Sequence, residues 1–183
     1  MPDHRLTPRT PLGNTSPQTD TIGPVTITEN TGIALASLAI RRGCGADVAK
    51  AAASLNLTLP SPGHASDNAM WLAPDQWMLE ALHATHEDIL AYLKPAFGDA
   101  ASITEQTDAW VRFDLFGPDL PTMFDLLCNL DTRAMQPGHA TRTVIDHLGC
   151  YVICRSAGFT ILGPRSSARS LHHALITAAR SAF

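Results

Sequence analysis

The chain has 183 residues, a formal net charge of −4, and 45% hydrophobic but only 6% aromatic residues. This length suits one domain or two tightly fused halves, and a chain of this size can bury roughly 70% of its unfolded surface. Its 13 basic and 17 acidic residues are spread along the chain without a basic patch, which argues against nucleic acid as a partner. No apolar run is long enough to span a membrane and no apolar signal segment opens the chain, so we expect no membrane association and assign the cytoplasm.

Residues 1–24 predict a disordered N-terminal tail. Four prolines precede residue 20, threonines are frequent and large apolar residues are scarce. Such a segment cannot bury enough apolar surface to offset the entropy lost on ordering. We therefore expect it to be disordered alone or ordered only against a partner, and a single folded domain to span 25–183 in two halves of about 25–105 and 106–183.

The first half predicts alternating strands and helices. A strand is expected over 33–41, and Asp47 is expected to cap the helix that follows. Two short strands are expected at 70–72 and 77–79, joined by a turn over 73–76. The inward face of the first helix is expected to comprise Val48, Ala51, Ala52 and Leu55.

The sequence also predicts where the second helix of this half begins and ends. Thr85 and Asp88 have the spacing of a capping box, and Gly98 is expected to stop the helix. Its apolar face is expected to comprise Ile89, Leu93, Ala96 and Phe97.

The segment 106–119 is the most informative part of the chain. Apolar Val111, Phe113 and Leu115 alternate with Arg112 and Asp114, which predicts a half-buried strand over 110–116. Gly117 and Pro118 end this strand, and a helix is expected over 118–130 with the proline in its first turn.

The rest of the second half predicts a three-stranded meander and a final helix. The strands are expected at 143–147, 150–155 and 159–162, with turns at 148–149 and near Gly158. Ser166 is expected to cap the last helix. Its inward face is expected to comprise Leu171, Leu175, Ala178, Ala179 and Ala182.

The order of elements is β-α-β-β-α-β followed by β-α-β-β-β-α. This order predicts an α+β fold made of two split βαβ (ferredoxin-like) halves that share a mostly antiparallel sheet.

Residues 43–48 form a partial glycine-rich fingerprint. Gly43 and Gly45 follow a predicted strand and precede a predicted helix, which is the context of a dinucleotide-binding loop. Val48 stands where the third small residue belongs, and Asp67, the next acidic residue, lies in a predicted loop. We therefore interpret the segment as a turn and helix start.

Histidines and cysteines near the C-terminus raise a zinc hypothesis. His147 and Cys150 lie on opposite sides of a hairpin turn, and Cys150 and Cys154 would be about 13 Å apart on one strand. The adjacent His172 and His173 point about 100° apart on a helix and cannot grip one ion well. Together with His139 they are interpreted as surface residues, and the cysteines (Cys44, Cys128, Cys150 and Cys154) as reduced thiols.

Three further side chains are candidates for contacts with partners. Trp71 and Trp77 flank a turn, and tryptophan is frequent both in cores and at interface hot spots, with the core favoured. Arg112 is expected to be either a solvated charge or the partner of an acidic group on another chain. No nucleophile elbow is present in the sequence. Since the glycine-rich segment and the zinc candidates are also interpreted as structural, we predict no catalytic, cofactor-binding or metal-ligating residue in this chain.

Several segments resemble one protein family in the same order along the chain. Residues 71–79 (W-L-A-P-D-Q-W-M-L) resemble the W-L-G-P-D-E-W-L element of the γ subunit of heterotetrameric sarcosine oxidase, with Ala73 in place of a glycine and Gln76 in place of an acid. The resemblance covers roughly residues 30–183. Its other blocks are residues 106–113, Gly117 with Pro118, and residues 128–131, 141–143 and 165–171.

This resemblance implies a fold like the folate-binding domain of aminomethyltransferases. It also implies a non-catalytic γ subunit, with α, β and δ subunits as partners. The assembled enzyme demethylates sarcosine to glycine, with formaldehyde or 5,10-methylenetetrahydrofolate and hydrogen peroxide as the other products. FAD, FMN, NAD and tetrahydrofolate are then expected on the larger subunits and zinc on the small δ subunit, and none on this chain.

The sequence leaves two other functions open. A free-standing folate-binding protein of the aminomethyltransferase type would need a buried carboxylate in a concave apolar site, and Asp108 and Asp114 are the acids nearest the informative strand. A zinc or thiol protein built on Cys150 and Cys154 is the remaining alternative.

Overall fold

The computed structural model describes residues 7–183 as two antiparallel sheets that face each other, with helices on their outer sides. The strands are Thr19–Ile22 (β1), Val25–Asn30 (β2), Ile33–Ile40 (β3), Ala69–Ala73 (β4), Gln76–Leu82 (β5), Ala101–Glu105 (β6), Trp110–Phe116 (β7), Ala140–Ile145 (β8), Leu148–Arg155 (β9) and Gly158–Pro164 (β10). The α-helices are Gly45–Ser54 (α1), Ile89–Phe97 (α2), Leu120–Phe124 (α3) and Ala168–Ala182 (α4). The architecture is therefore α+β, as the sequence predicts.

The two halves do not share one sheet, which corrects the predicted arrangement. One sheet has the order β1-β2-β7-β10-β9-β8 and the other β4-β5-β3-β6, and every pairing is antiparallel. The first strand of the predicted first half, β2, pairs with β7 of the second half, whereas β3, β4, β5 and β6 form a sheet of their own.

Three apolar cores separate these layers. The first lies between the six-stranded sheet and helices α3 and α4, and includes Phe113 and Phe124. The second lies between the four-stranded sheet and helices α1 and α2. The third is smaller and lies between the sheets, where Met70 and Met78 meet Ile153 and Leu162. Burial of apolar surface in these layers provides the main favourable term in folding.

The strands predicted in 33–41, 70–72, 77–79, 110–116, 150–155 and 159–162 are present, whereas the strand predicted at 143–147 lies at Ala140–Ile145. Several helix and turn boundaries are also wrong. Cys44, rather than Asp47, occupies the N-cap of α1, and Asp88, rather than Thr85, caps α2 by accepting a hydrogen bond from the Ala91 amide. Gly98 ends α2 at a φ of 47°, as predicted. The turn between β8 and β9 is formed by Asp146 and His147 at positive φ, two residues before the predicted position.

The predicted helix over 118–130 is much shorter in the structure. Asp119 adopts a left-handed conformation, so the helix begins only at Leu120 and ends at Phe124. Beyond it the chain turns towards β8, where the Thr143 hydroxyl lies 3.4 Å from the Asn129 amide oxygen. Leu127, Cys128 and Leu130 still pack against the first core, so this segment is placed by tertiary packing and not by helix propensity. The last helix also starts later than predicted, because residues 165–167 form a 3₁₀ turn and Ser166 makes no cap.

The predicted disordered tail is corrected for residues 7–24, while residues 1–6 lie outside the described part of the chain. Leu12 is buried in the first core and β1 pairs with β2. The buried Glu29 carboxylate accepts hydrogen bonds from the amides of Leu12 (2.9 Å) and Gln18 (3.1 Å). Composition suggests disorder because this segment has no core of its own, whereas the segment orders on the sheet and α4 of its own chain.

The turn after β7 requires glycine for steric reasons. Gly117 has a φ of +139°, and a Cβ at this position would lie 2.5 Å from the Pro24 carbonyl oxygen. The family-like Gly117-Pro118 pair therefore allows β7 to end directly against the β1–β2 turn.

Candidate functional site

The face of β7 that points away from the helices carries a cluster of charged residues between the two sheets. Arg112 donates from Nε to Asp114 Oδ1 at 2.8 Å and from Nη1 to Glu80 Oε2, on β5 of the other sheet, at 3.0 Å. The Arg112 side chain is only 15% exposed. The prediction that Arg112 is solvated or pairs with another chain is therefore wrong, since both its acidic partners lie within this chain.

Asp114 is the most fully hydrogen-bonded member of this inter-sheet cluster. Its Oδ1 also accepts from the Thr160 hydroxyl at 2.6 Å, and its Oδ2 accepts from the Asn30 amide at 2.7 Å. Asp114 thus ties together β2, β7 and β10 within one sheet. Both of its oxygens already have donors, so it is held in place as an acceptor.

Glu80 and Arg155 extend the cluster across the gap. Arg155 Nη2 lies 3.7 Å from Glu80 Oε1, and Arg155 Nη1 donates to the Ser66 carbonyl at 3.1 Å. Burial raises the pKa of the Glu80 carboxyl, and Asp114 acts in the same direction, whereas Arg112 and Arg155 oppose the rise. Two carboxylates and two guanidiniums therefore balance each other in a mostly water-free layer.

This cluster was only half visible in the sequence. Arg112 and Asp114 stand out by their alternation with apolar residues, but the sequence pattern predicts no function for Glu80 or Arg155. The available signal is a lone carboxylate in the apolar run 77–82 and a lone guanidinium at the end of another apolar strand. Buried charges require partners, so such isolated charges of opposite sign are candidates for pairing across sheets.

A cleft of about 420 Å³ lies beside the cluster. Its walls come from the segment 8–17, the β2–β3 turn, residues 83–87 and the residues just before and within β7. Arg112 and Trp110 both line it. Asp108 also lines it, and its exposed carboxylate pairs with Arg165 at 3.3 Å. Asp108 is therefore exposed at the rim of the cleft, whereas Asp114 is buried beneath the cleft.

The partial glycine fingerprint forms the turn into α1. Gly43 has a φ of +84°, and a Cβ added at Gly43 or Gly45 would meet no atom within 4 Å. Neither glycine is therefore required by a close approach of other protein atoms. Val48 is buried in the second core, where its side chain packs beneath α1. Asp67 lies outside the strands in the loop before β4.

The predicted zinc candidates do not converge. Cys150 and Cys154 point from β9 into the first core, where burial raises the pKa of Cys150 to about 11 and that of Cys154 above its usual value. His147 lies in the β8–β9 turn. His139 packs edge-on against His64, with the ring centroids 5.1 Å apart. Among residues 7–183, no group of three potential metal-ligating side chains was found.

The two adjacent histidines on α4 have separate surroundings. His172 Nε2 lies 2.8 Å from an Asp20 carboxylate oxygen, so it links α4 to β1. His173 lines a shallow surface groove with Leu126, Leu127 and Ala174. Neither arrangement joins the two rings in one site.

Trp71 and Trp77 lie opposite each other on β4 and β5. The Trp77 indole donates to the Pro60 carbonyl at 2.9 Å, and the ring packs on the second core. Trp77 is therefore a core residue, as the sequence favours. Trp71 is half-buried.

Several large apolar side chains are exposed on the isolated chain. Leu82 is 68% exposed, Val144 58% and Leu126 57%, and Phe116 and Phe183 are exposed to a lesser degree. Scattered exposed apolar residues are normal on monomers, whereas contiguous apolar patches mark interfaces. No described helix is both long and apolar enough to cross a bilayer.

Comparison with known proteins identifies the fold. No protein-family model and no curated protein matches the sequence. Among solved structures, the chain is similar to a chain of the heterotetrameric sarcosine oxidase from Corynebacterium sp. U-96 in complex with pyrrole 2-carboxylate. That match has 21% identity and a TM-score of 0.73, over 90% of this chain and 88% of the other.

A second similar structure is the glycine cleavage system aminomethyltransferase T from Bartonella henselae. The identity is 16% and the TM-score 0.63, over 87% of this chain but 50% of the aminomethyltransferase. The chain thus spans half the length of that enzyme. The fold of this protein is therefore the α+β fold found in sarcosine oxidase and aminomethyltransferase chains, as the motif resemblance predicts.

Proposed function

We propose that this chain is the γ subunit of a heterotetrameric sarcosine oxidase and contributes to assembly rather than to chemistry. The observation that carries the proposal is the agreement of fold over 90% of this chain and 88% of the sarcosine oxidase chain. In the aminomethyltransferase the corresponding region makes up only half of the protein. The high coverage of both chains is the reason why we favour the sarcosine oxidase chain over the aminomethyltransferase as the counterpart of this protein.

The ordered motifs give independent support for this assignment. The W-L-A-P-D-Q-W-M-L element forms the β4–β5 hairpin, with Asp75 at a φ of 59° in its two-residue turn. Residues 110–116 form β7, and Gly117 makes the tight turn that follows. The residues that carry the resemblance therefore support the local geometry of this fold.

The proposed subunit binds no cofactor of its own. FAD, FMN, NAD and tetrahydrofolate then belong to the α and β subunits and zinc to the δ subunit. The inter-sheet cluster is consistent with this role, because its positive and negative charges pair with each other within the chain. In the first half, the strand order β6-β3-β5-β4 with two helices on one side supports our proposal that this half is a split βαβ unit.

Assembly is tested by coexpressing the full chain with the α, β and δ subunits encoded by the same organism. We expect a four-subunit complex by native mass spectrometry, which oxidises sarcosine with release of hydrogen peroxide. Single glutamate substitutions at Leu82, Leu126 and Val144 test which surface is needed for assembly. These three side chains are exposed and do not belong to a core. At least one of them is expected to reduce incorporation of this chain without changing its own circular dichroism. A stable, active complex of the other three subunits that excludes this chain would contradict the proposal.

A free-standing folate-binding protein is the alternative function, and the burial of Asp114 favours it. Asp114 is 8% exposed and lies close to a cleft, which meets the expectation of a buried carboxylate in a concave site. Its oxygens, however, already accept from Arg112, Thr160 and Asn30. A pterin would have to displace these donors, which is why we rank this function second.

Calorimetric titration of tetrahydrofolate into the purified chain distinguishes the two functions. The assembly role predicts no saturable heat with the isolated chain. Saturable binding that Asp114→Asn abolishes, with the fold retained, would favour the alternative.

A further inference from the structure

The cleft beside the inter-sheet cluster combines a positioned cation with an apolar wall. Its volume of about 420 Å³ lies within the range of small-molecule sites. Arg112 forms part of its lining together with the apolar side chains of Ile33, Leu35 and Trp110. Trp110 and Arg112 are two residues apart on β7 and therefore share one face of the strand.

Arg112 retains an unused hydrogen-bonding group. Its Nε and Nη1 donate to Asp114 and Glu80, whereas Nη2 has no acceptor among residues 7–183. The two carboxylates fix the plane of the guanidinium, so the direction of the remaining donors is fixed as well. A guanidinium positioned in this way is suited to a planar oxygen acceptor.

The charge of the cleft indicates how much negative charge it accepts. Three arginines line it, against the two carboxylates of Glu87 and Asp108. Behind it, Glu80 and Asp114 already balance Arg112 and Arg155. Four arginines thus face four carboxylates in the cleft and the layer behind it, so the site tolerates little added charge. A monocarboxylate adds one negative charge close to Asp114, whereas a phosphate dianion would add two.

We propose that this cleft binds a small monocarboxylate with an apolar or aromatic body. The carboxylate accepts from Arg112 Nη2, and the body of the ligand lies against Trp110 and Ile33. This site goes beyond the assembly role and does not depend on it, because it is complete within one chain.

The proposal is tested by NMR on the ¹⁵N-labelled full chain with benzoate as the probe. The chain has three tryptophans, so the indole N–H signals are few, and Trp110→Phe assigns the one in the cleft. We expect a saturable shift of this signal with a Kd below about 1 mM. Benzyl alcohol, which has the body without the charge, and inorganic phosphate, which has charge without the body, are expected to bind at least about tenfold more weakly.

Two variants connect binding to the cleft. Thr31→Trp fills the cleft from an exposed rim position, and Thr104→Trp places the same bulk at an exposed position outside the lining. Thr31→Trp is expected to abolish the shift, and Thr104→Trp to leave it unchanged. Arg112→Lys keeps the positive charge but removes the second donor edge, and is expected to weaken binding about tenfold or more. The amide spectrum of each variant reports whether it is folded.

Four results would overturn the proposal. These are the absence of a saturable shift up to about 10 mM benzoate, equal affinity for benzyl alcohol, equal affinity for phosphate, and unchanged benzoate binding in folded Thr31→Trp. Because no partner subunit is present in these titrations, their outcome is independent of the assembly experiment.

Discussion

The two faces of β7 follow different physical rules. On one face Val111, Phe113 and Leu115 are fully buried against α3 and α4. On the other face Arg112 and Asp114 are also mostly buried, but against a second sheet, and are held by charges and hydrogen bonds. Period-2 alternation usually separates a core face from a solvent face, whereas here it separates an apolar core from a polar one.

This difference shows that polarity is not the same as exposure. The apolar face is stabilised by transfer from water and by close packing, which need no particular partner. The charged face gains stability only if every buried charge has its counter-charge and its hydrogen bonds. The first face should therefore respond to loss of volume, and the second to loss of one partner at a time.

Truncation of the apolar face should have the largest effect. Phe113→Ala removes a fully buried ring from the first core and is expected to lower the free energy of unfolding by about 3–5 kcal/mol. Urea unfolding followed by circular dichroism provides the measurement. Phe116→Ala, at the exposed end of the same strand, is the matched control and should cost less than about 1 kcal/mol. Equal costs for the two variants would remove the distinction between core and surface on β7.

Removing one partner from the charged face should come next. Arg112→Met leaves Glu80 and Asp114 without their shared cation. We expect a loss of about 3 kcal/mol in the same assay, at the low end for a buried pair because the Arg112 side chain is 15% exposed. Adding Glu80→Met to Arg112→Met should restore part of this loss, because no acid then remains on β5 facing the missing cation. A double variant whose loss equals the sum of the two single losses would contradict the coupling between the sheets.

The contrast between the faces also explains what could be predicted from the sequence. Periodicity predicted β7 with its observed bounds and the inward face of α4, because both depend on residues a few positions apart. It did not reveal the partner of Arg112, because Glu80 lies 32 positions away and on a different sheet. The division into two sheets was not predicted for the same reason, since β1 precedes the predicted domain and β2 opens its first half, yet both strands complete the second-half sheet.

The charged face should also respond to pH through Glu80. Its pKa is raised above the ordinary value of 4.5 by burial, so the folded state holds this proton at pH values where the unfolded chain has lost it. The stabilising contribution of this group is therefore fully present below pH 4.5 and is lost as pH rises through the folded-state pKa. Subtracting the free energy of unfolding of Glu80→Gln from that of the parent should give a difference that falls with pH above 4.5, by at most about 1.4 kcal/mol per pH unit. A difference that rises over this range would show that Arg112 and Arg155 outweigh burial.

The smallest effect on stability is expected at the N-terminus of α2, on the outer side of the four-stranded sheet. There the stabilising partner is again a residue close in sequence. Asp88 caps α2 by accepting from the Ala91 amide at 3.0 Å, whereas the Thr85 hydroxyl contacts the Leu82 carbonyl and His86. Asp88→Ala is expected to cost about 1 kcal/mol and Thr85→Ala less than about 0.5 kcal/mol in urea unfolding. The predicted capping box would require the opposite ranking. Since the two positions are both exposed and only three residues apart, their difference isolates the cap itself. A clear effect at Asp88 alone would show that on the helix side, unlike between the sheets, the decisive partner is a neighbour in the chain.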